Sequence, residues 1–193
     1  MGKPITEGLP MLRSVYGSEI SILEPKPNDF MLEEIARGLS NVARYSGQTP
    51  RHYSVAEHSL HVSAVLMMPR LQFPAQGPRP RPDLALWGLM HDAAEAYLSD
   101  VPTPLKELLP RFSTIEETFL QAIAQRFSLV WPMPKIVKVA DRLIYHRECQ
   151  EFQRIRRARF EPTGFGVLSP REAEKRWLEA FEWLQTEAQR GES

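Results

Sequence analysis

The sequence predicts an all-α fold, a bundle of about six or seven helices, and three observations support this class. Apolar residues recur at helical spacing in most segments between proline-rich breaks. Ser54 followed three positions later by Glu57 has the spacing of a capping box. Only residues 11–24 alternate apolar and polar side chains, around a turn at Gly17 and Ser18. This pattern predicts a small N-terminal β-hairpin that is too short to define the fold.

Caps and helix breakers predict where the helices begin. Asn28 or Asp29 can cap the first helix, Asp83 can cap the third, and Ser113 can begin the fifth. The proline-rich segment 69–83 cannot continue a helix, so we expect an exposed loop there. The predicted helices span about 30–39, 54–68, 84–98, 105–109, 114–127, 135–159 and 170–189.

Length and composition indicate one globular domain over residues 1–193, with a motif-bearing core at about 30–160. Lys plus Arg and Asp plus Glu number 24 each, so no net field favours nucleic acid or an anionic membrane. The single cysteine, Cys149, excludes an intramolecular disulfide and suits a reducing compartment. The first ten residues lack an apolar signal core, and no apolar run reaches membrane-spanning length. These features predict a cytoplasmic protein.

One stretch, ALWGLMHDAAEAYLSDVPTPLK, places His91 and Asp92 on an otherwise apolar helix. Such a pair is costly to bury unless a partner compensates its polarity. His58 and Asp141, on two other predicted helices, complete a set of four candidate ligands. Two imidazoles and two carboxylates suit Mn, Fe, Co, Ni or Zn better than Ca. Each residue alone also has a structural interpretation, so the combination carries the prediction of a metal site.

Three segments together resemble the HD-domain phosphohydrolase superfamily, and within it the bacterial 5'-deoxynucleotidase-like branch. They are RYSGQTPRHYSVAEHSLHVSAVL, ALWGLMHDAAEAYLSDVPTPLK and VKVADRLIYHRE, which cover most of residues 44–148. The resemblance implies an HD-domain helical bundle in which His58, His91, Asp92 and Asp141 bind one divalent metal ion. It leaves open which of Co, Mn, Mg, Zn, Fe or Ni is bound, and it allows a second ion with a polyphosphate substrate.

The resemblance also assigns residues to catalysis and substrate binding. It implies that Glu95 and Asp100 are catalytic acids, and Glu95 lies one helical turn beyond the His-Asp pair, so it can share its face. Asp100 has the alternative of capping the next helix. Arg44 matches a position that meets phosphate, for which its planar fork is suited. Tyr45 occupies a sugar-side position where relatives often carry Trp, and Lys106 could contact phosphate.

The expected activity is hydrolysis of a (deoxy)nucleoside 5'-phosphate, with a 5'-deoxynucleotidase that releases phosphate as the first hypothesis. The alternative is a dNTP triphosphohydrolase, such as one acting on dATP, that releases triphosphate. A third hypothesis, from another class, is a nonenzymatic metal-bound interaction module. The expected partners are a small nucleotide and a second copy of the chain, without nucleic acid or membrane. The stripe Trp177, Leu178, Phe181 and Leu184 could mediate homo-oligomerisation, although core packing explains it better.

Overall fold

The structure, a computed structural model, describes residues 10–14, 16–68, 80–158 and 164–191. This part of the chain is mostly helical and carries a two-stranded antiparallel hairpin, which confirms the predicted all-α class. The strands are β1 (Met11–Arg13) and β2 (Glu19–Ser21). The helices are α1 (Leu32–Asn41), α2 (Val55–Met67), α3 (Pro82–Met90), α4 (Glu95–Leu98), α5 (Thr103–Lys106), α6 (Pro110–Arg126), α7 (Lys135–Ala158) and α8 (Pro170–Gly191).

The hairpin lies where the alternating pattern predicts it. Leu12 pairs with Ile20, and Gly17 in the turn has a φ of 95°, in the left-handed region that glycine adopts readily. Ile20 is buried in the helical core. The hairpin therefore covers one side of the bundle and contributes a single core side chain from its second strand.

The first helix begins later than predicted because its expected cap has another role. Asp29 ends a 3-10 turn, Pro27–Asp29, and its carboxylate accepts a hydrogen bond from Lys26 N at 2.8 Å. The helix α1 then begins at Leu32, and no side chain caps it. The prediction that Asn28 or Asp29 caps this helix was wrong, since the local turn uses the carboxylate first.

Prolines move two other helix starts toward the N-terminus. A proline suits the first helical turn because its missing N–H is not needed there. Pro82 begins α3, and the predicted cap Asp83 instead accepts hydrogen bonds from the Arg81 guanidinium, the shortest at 2.6 Å. Pro110 begins α6, which leaves Ser113 inside the helix and not at its cap. Both predicted caps were therefore wrong by a few residues.

The remaining boundaries agree with the sequence to within a few residues. The short helix predicted at 105–109 lies at Thr103–Lys106, again with proline in its first turn. The helices α7 and α8 occupy the predicted segments, and the predicted end of α7 at Arg159 lies outside the described residues. Most of the proline-rich loop, residues 69–79, also lies outside them.

The predicted central helix, 84–98, is divided in two. The helix α3 ends at Met90, and the next hydrogen bonds join Ala93 N to Met90 O and Glu95 N to Asp92 O, both at 2.9 Å. These i to i−3 bonds tighten the chain into 3-10-like turns before α4 begins at Glu95. The tightening falls on the candidate ligand His91 and its neighbours, so it affects where their side chains point.

The centre of the bundle is the pair α2 and α3, which pack against each other and against α7 and α8. Trp177, Phe181 and Leu184 of α8 are buried in this core, so core packing explains the apolar stripe of that helix. None of the helices within the described ranges combines the length and apolar character needed to cross a membrane. The interior faces of α2, α3 and α7 meet where the candidate metal ligands lie.

A glycine allows α1 to approach α4 closely. A Cβ atom built on Gly38 would lie 2.7 Å from both the Cβ and the carbonyl oxygen of Ala96. Because the obstacle includes backbone, a side chain at residue 38 would force the two helices apart. The contact therefore determines the position of α4, which carries Glu95.

We predict that Gly38→Ala destabilises the protein by about 1–3 kcal/mol, through overpacking that exceeds the gain in helix propensity. Gly164→Ala is the control, since a Cβ there would meet no atom within 4 Å. Denaturant unfolding measures both variants. Equal midpoints for Gly38→Ala and the wild type would contradict the close approach of α1 and α4.

Candidate metal centre

The first imidazole is placed by the beginning of α2. Ala43 and Ser54 form an antiparallel bridge that closes the base of the connecting loop. The Ser54 hydroxyl accepts a hydrogen bond from Glu57 N at 3.1 Å, as the capping spacing predicts. His58 follows at the end of the first turn of α2, and its side chain is 0% exposed.

The ring of His58 is oriented by two carboxylates. Its Nδ1 lies 2.6 Å from Glu148 Oε1, and its Nε2 lies 3.1 Å from Asp141 Oδ1. Burial alone would raise the pKa of Glu148, but the hydrogen bond and charge of His58, together with Arg44, lower it to about 2. An ionised Glu148 only accepts hydrogen bonds, so Nδ1 of His58 carries the donated hydrogen. In the neutral ring, Nε2 then has a free lone pair that faces Asp141.

The second imidazole, His91, is oriented by the backbone. Its Nδ1 lies 2.8 Å from the carbonyl oxygen of Gly88, which can only accept, so Nδ1 carries the hydrogen. Its Nε2 is buried and has no hydrogen-bond partner within the described residues. That atom lies 3.0 Å from Asp92 Oδ2 and 3.8 Å from Asp141 Oδ1, without the alignment of a hydrogen bond. When this ring is neutral, its Nε2 lone pair is directed at carboxylate oxygens.

These contacts fit a divalent cation. Ligand atoms of His58, His91 and Asp141 all lie within 4.8 Å of one another, so this group could hold a metal ion. Lone pairs of nitrogen and oxygen that face each other at 3.1 Å need a proton or a cation between them. Metal bonds of about 2.0–2.2 Å place neighbouring ligands roughly 3–3.6 Å apart, which agrees with this spacing. The side chain of Asp141 is 38% exposed, so the cluster opens toward solvent on that side.

Asp92 lies beside this cluster, and its carboxylate also faces the Arg44 guanidinium. Its Oδ2 is 3.0 Å from His91 Nε2, 3.8 Å from His58 Nε2 and 3.7 Å from Arg44 Nη1. Burial acts to raise the pKa of Asp92, but the imidazoles and Arg44 hold it below its usual range. Three of the four predicted ligands thus form one cluster, and Asp92 adjoins it; its role as the fourth ligand stays a prediction.

A buried acid that was not predicted from the sequence, Glu148, supports the cluster. The stripe of α7 that faces the core consists of Val137, Ala140, Ile144 and Glu148, all with little or no exposure. A glutamate that continues an apolar stripe at helical spacing is the signal that could have found it. Besides His58, this carboxylate accepts hydrogen bonds from the hydroxyls of Tyr45 and Tyr53, both at 2.6 Å, and from Arg44 Nη2 at 3.3 Å.

A cleft of about 1000 Å³ opens onto the cluster. Such a volume is at the upper end of the range for small-molecule sites. All the residues predicted for catalysis and substrate binding line it, and so do several that were not predicted, among them Trp131, Lys138, Arg142 and Tyr145. The predicted residues are Arg44, Tyr45, Glu95, Asp100 and Lys106.

Glu95 is the most buried acid of this cleft that lies outside the ligand cluster. Burial, with the nearby charges of Asp92 and Asp100, raises its pKa well above the usual value. Its Oε2 has no hydrogen-bond partner within the described residues, and its Oε1 lies 3.5 Å from Lys106 Nζ. Lys106 is held more closely by Glu116, at 2.6 Å. The raised pKa shifts the equilibrium of Glu95 toward the carboxylic acid, which is the form that can donate a proton into the cleft.

Asp100 and the segment that begins at Arg44 complete the wall. Burial raises the pKa of Asp100, and the charge of Arg44 opposes this shift. Tyr45 and Ser46 have left-handed backbone conformations with φ of 55° and 52°. The ring of Tyr45 stacks on Tyr145, with centroids 6.4 Å apart and an interplanar angle of 17°. Strained backbone of this kind is common at functional sites.

The fold and this site define an all-α protein with a candidate His–His–Asp metal centre at the base of an open cleft. The chain belongs to the same family as the uncharacterized protein RCAP_rcc00048 of Rhodobacter capsulatus, with 36% identity over 146 residues, or 72% of this chain and 71% of the relative. The uncharacterized protein YfdR of Escherichia coli K12 is 35% identical over 121 residues, or 63% of this chain and 60% of YfdR. No protein-family model matches the chain.

We predict that metal affinity rises with pH. Burial alone would lower the pKa of His91, but the charges and contacts of Asp92 and Asp141 raise it to about 9. Near neutral pH, a proton thus competes with a metal ion for the imidazole. Between pH 6.5 and 8.5, the Mn²⁺ affinity should rise about tenfold per pH unit for one displaced proton. The electron paramagnetic resonance signal of free Mn²⁺ measures this, and a pH-independent affinity would contradict it.

In the metal-free protein, which serves as a control, the stability contributed by His91 should change with pH in the opposite direction to the metal affinity. A group whose pKa is raised on folding stabilises the folded state fully below its unfolded pKa and loses that contribution as the pH rises. The His91 contribution to the free energy of unfolding should therefore decline from about pH 6.5 through 9. Chelator-treated protein, unfolded in denaturant at each pH, reports this change.

Proposed function

We propose that the protein is a divalent-metal-dependent phosphohydrolase of the HD-domain superfamily that acts on (deoxy)nucleoside 5'-phosphates and releases phosphate. The observation that carries the proposal is the orientation of two imidazoles. Each donates its Nδ1 hydrogen away from the cluster, to Glu148 or to Gly88 O, and each directs Nε2 toward carboxylate oxygens. An open cleft with an acid and several cations adjoins this cluster, which is what hydrolysis of a phosphate ester requires.

The proposed residues divide the chemistry among them. His58, His91 and Asp141, with Asp92 beside them, would hold the ion, which when bound supplies Lewis acidity and a water nucleophile at neutral pH. The attacking water forms a new P–O bond while the bond between phosphorus and the sugar 5'-oxygen breaks. A protonated Glu95 donates its proton to that leaving oxygen. The products are the nucleoside and inorganic phosphate.

The cations of the cleft would bind the phosphate and the aromatic rings would bind the nucleoside. The Arg44 guanidinium lies between Asp92 and Glu148, so its charge adjoins the ligand cluster where a phosphate would approach. The stacked rings of Tyr45 and Tyr145 line the same cleft and offer apolar faces to a sugar or base. Trp131 lines the opening as well.

A specific observation favours the triphosphate as a second candidate substrate. Lys138 and Arg142 lie one turn apart on α7, line the cleft and are exposed. Lys106 is already held by Glu116, whereas the ion pairs of the described residues do not include Lys138 or Arg142. Lys138 and Arg142, which have no ion-pair partner among the described residues, lie beyond the ligand cluster, and two such cations suit a chain of phosphates better than a single phosphate. The corresponding reaction releases triphosphate from a dNTP.

The products of hydrolysis decide between these candidates. Metal-stripped protein is incubated with Mn, Co, Mg or Zn and with nucleoside mono- and triphosphates, and the released anions are identified. Phosphate released from monophosphates supports the first candidate, and triphosphate released from dNTPs supports the second. Absence of turnover with every metal would contradict both and favour the nonenzymatic binding module.

We predict that Glu95→Gln lowers kcat about 10²–10⁴-fold, because the amide cannot donate a proton to the leaving oxygen as an acid does. Metal affinity should stay near the wild-type value, since Glu95 is outside the ligand cluster. Glu107→Gln is the matched control, because Glu107 is exposed and does not line the cleft. A Glu95→Gln enzyme with wild-type kcat would exclude Glu95 as the general acid.

We also predict that the double variant Lys138→Ala/Arg142→Ala raises KM for a triphosphate about tenfold, which corresponds to about 0.7 kcal/mol for each exposed contact. KM for the monophosphate should change much less. The control is Lys135→Ala/Arg147→Ala, which removes two exposed cations of α7 that do not line the cleft. Equal effects of the two double variants would show that the cleft position of the cations is irrelevant.

A further inference from the structure

We propose that Glu148 is a positioning residue that holds both halves of the site, the ligand His58 and the cleft segment Arg44–Gly47, through its two carboxylate oxygens. This inference rests on the proposed metal centre. Glu148 is 0% exposed and is not among the residues that line the cleft. It therefore cannot touch a substrate, and any influence on the reaction passes through the side chains that it binds.

The two oxygens divide their partners between the two halves. Oε1 accepts from His58 Nδ1 and from the Tyr53 hydroxyl, both at 2.6 Å. Oε2 accepts from the Tyr45 hydroxyl at 2.6 Å and from Arg44 Nη2 at 3.3 Å. An ionised carboxylate has about four acceptor positions, so these four donors use its whole capacity.

On the first oxygen, Glu148 determines which nitrogen of His58 is free. The ring lies between two carboxylates, with Glu148 at 2.6 Å from Nδ1 and Asp141 at 3.1 Å from Nε2. If Glu148 no longer accepted, the ring hydrogen could move to Nε2 and be donated to Asp141. That hydrogen would occupy the position of the metal ion. Glu148 thus keeps Nε2 available as a ligand.

On the second oxygen, Glu148 stabilises a strained segment. Tyr45 and Ser46 both have left-handed backbone conformations, which are unfavourable for side chains other than glycine. The segment is joined to its surroundings by Arg44 N to Tyr53 O and is closed by Gln48 N to Tyr45 O, both at 2.9 Å. The Tyr45 hydroxyl and the Arg44 guanidinium then attach its side chains to Glu148. The same acid therefore orients the cleft wall and the metal ligand.

The test replaces Glu148 by glutamine, which has the same shape but only one accepting oxygen, so it cannot serve both halves fully. In metal-free Glu148→Gln, long-range ¹H–¹⁵N spectra should show a larger fraction of the neutral His58 rings in the Nε2–H form than in the wild type. The Mn²⁺ affinity should fall about 10–100-fold, as is typical for the loss of a carboxylate behind a histidine ligand. The Gln48 amide should exchange at least about tenfold faster, while the Val55 amide at the loop base stays protected.

Tyr53→Phe is the matched control, because it removes one hydrogen bond from the same carboxylate without changing either half of the site. Its Mn²⁺ affinity should stay within about twofold of the wild type, since the His58 contact is retained. Thermal unfolding of both variants tests whether they are folded. If Glu148→Gln does not fold, Glu148→Asp keeps the charge but shortens its reach, and it should weaken Mn²⁺ binding in the same direction.

The outcomes separate this proposal from the proposed function. The positioning role would be overturned if Glu148→Gln had the same His58 tautomer, the same Mn²⁺ affinity and the same amide exchange rates as the wild type. An equal loss of affinity in Tyr53→Phe would also overturn it, because the effect would then be a general loosening of the core. A wild type that binds Mn²⁺ but hydrolyses no phosphate ester would overturn the enzymatic proposal alone. A wild type that binds no Mn²⁺ would overturn both.

Discussion

The buried carboxylate of Glu148 is the constraint on which the candidate site depends. An unpaired buried charge costs several kcal/mol, so a carboxylate at this position needs several donors around it. They come from separate parts of the chain: Arg44, Tyr45 and Tyr53 from the loop before α2, and His58 from α2 itself. The hydrogen bonds to this one carboxylate therefore position the cleft wall and the candidate ligand His58 relative to each other. Glu148 and Asp141 lie two turns apart on α7, so the same helix also carries the candidate ligand carboxylate of Asp141.

The path of the central segment shows how backbone geometry places the remaining groups. The chain tightens after Met90, so His91 lies just beyond the end of α3 and Glu95 begins α4. After this turn, α4 lies close against α1, where Gly38 approaches Ala96. These contacts place an acid next to the ligand cluster without making it part of the cluster. In the proposed hydrolysis the separation matters, because a metal ligand must be ionised whereas a general acid must keep its proton.

Asp92 and Glu95 are only three positions apart, yet their pKa values are shifted in opposite directions. Glu95 is buried and Asp92 is partly buried, and the loss of solvation acts to raise the pKa of each. The imidazoles and Arg44 outweigh that effect at Asp92 and lower its pKa, whereas Glu95 mainly faces other acids and its pKa is raised further. Paired carboxyl groups whose surroundings separate their pKa values are the usual arrangement for acid and base roles. The arrangement agrees with a hydrolytic role for the cleft, and it does not depend on the length of the phosphate chain.

Apolar spacing and proline breaks are local signals, so they were sufficient to predict the helical class, the hairpin and the segments of the main helices. His58, His91 and Asp141 were also predicted from the sequence as candidate metal ligands, since a polar residue among apolar positions of a helix can be recognised from the sequence alone. Local caps were less reliable: Asp29 and Asp83 use their carboxylates in nearer contacts. Only the tertiary structure revealed that Glu148 supports the ligand cluster, and that Lys138 and Arg142 line the cleft. Those relations join residues up to 104 positions apart. The apolar stripe of α7 indicates that Glu148 faces the core, but a local pattern does not reveal which distant side chains it binds.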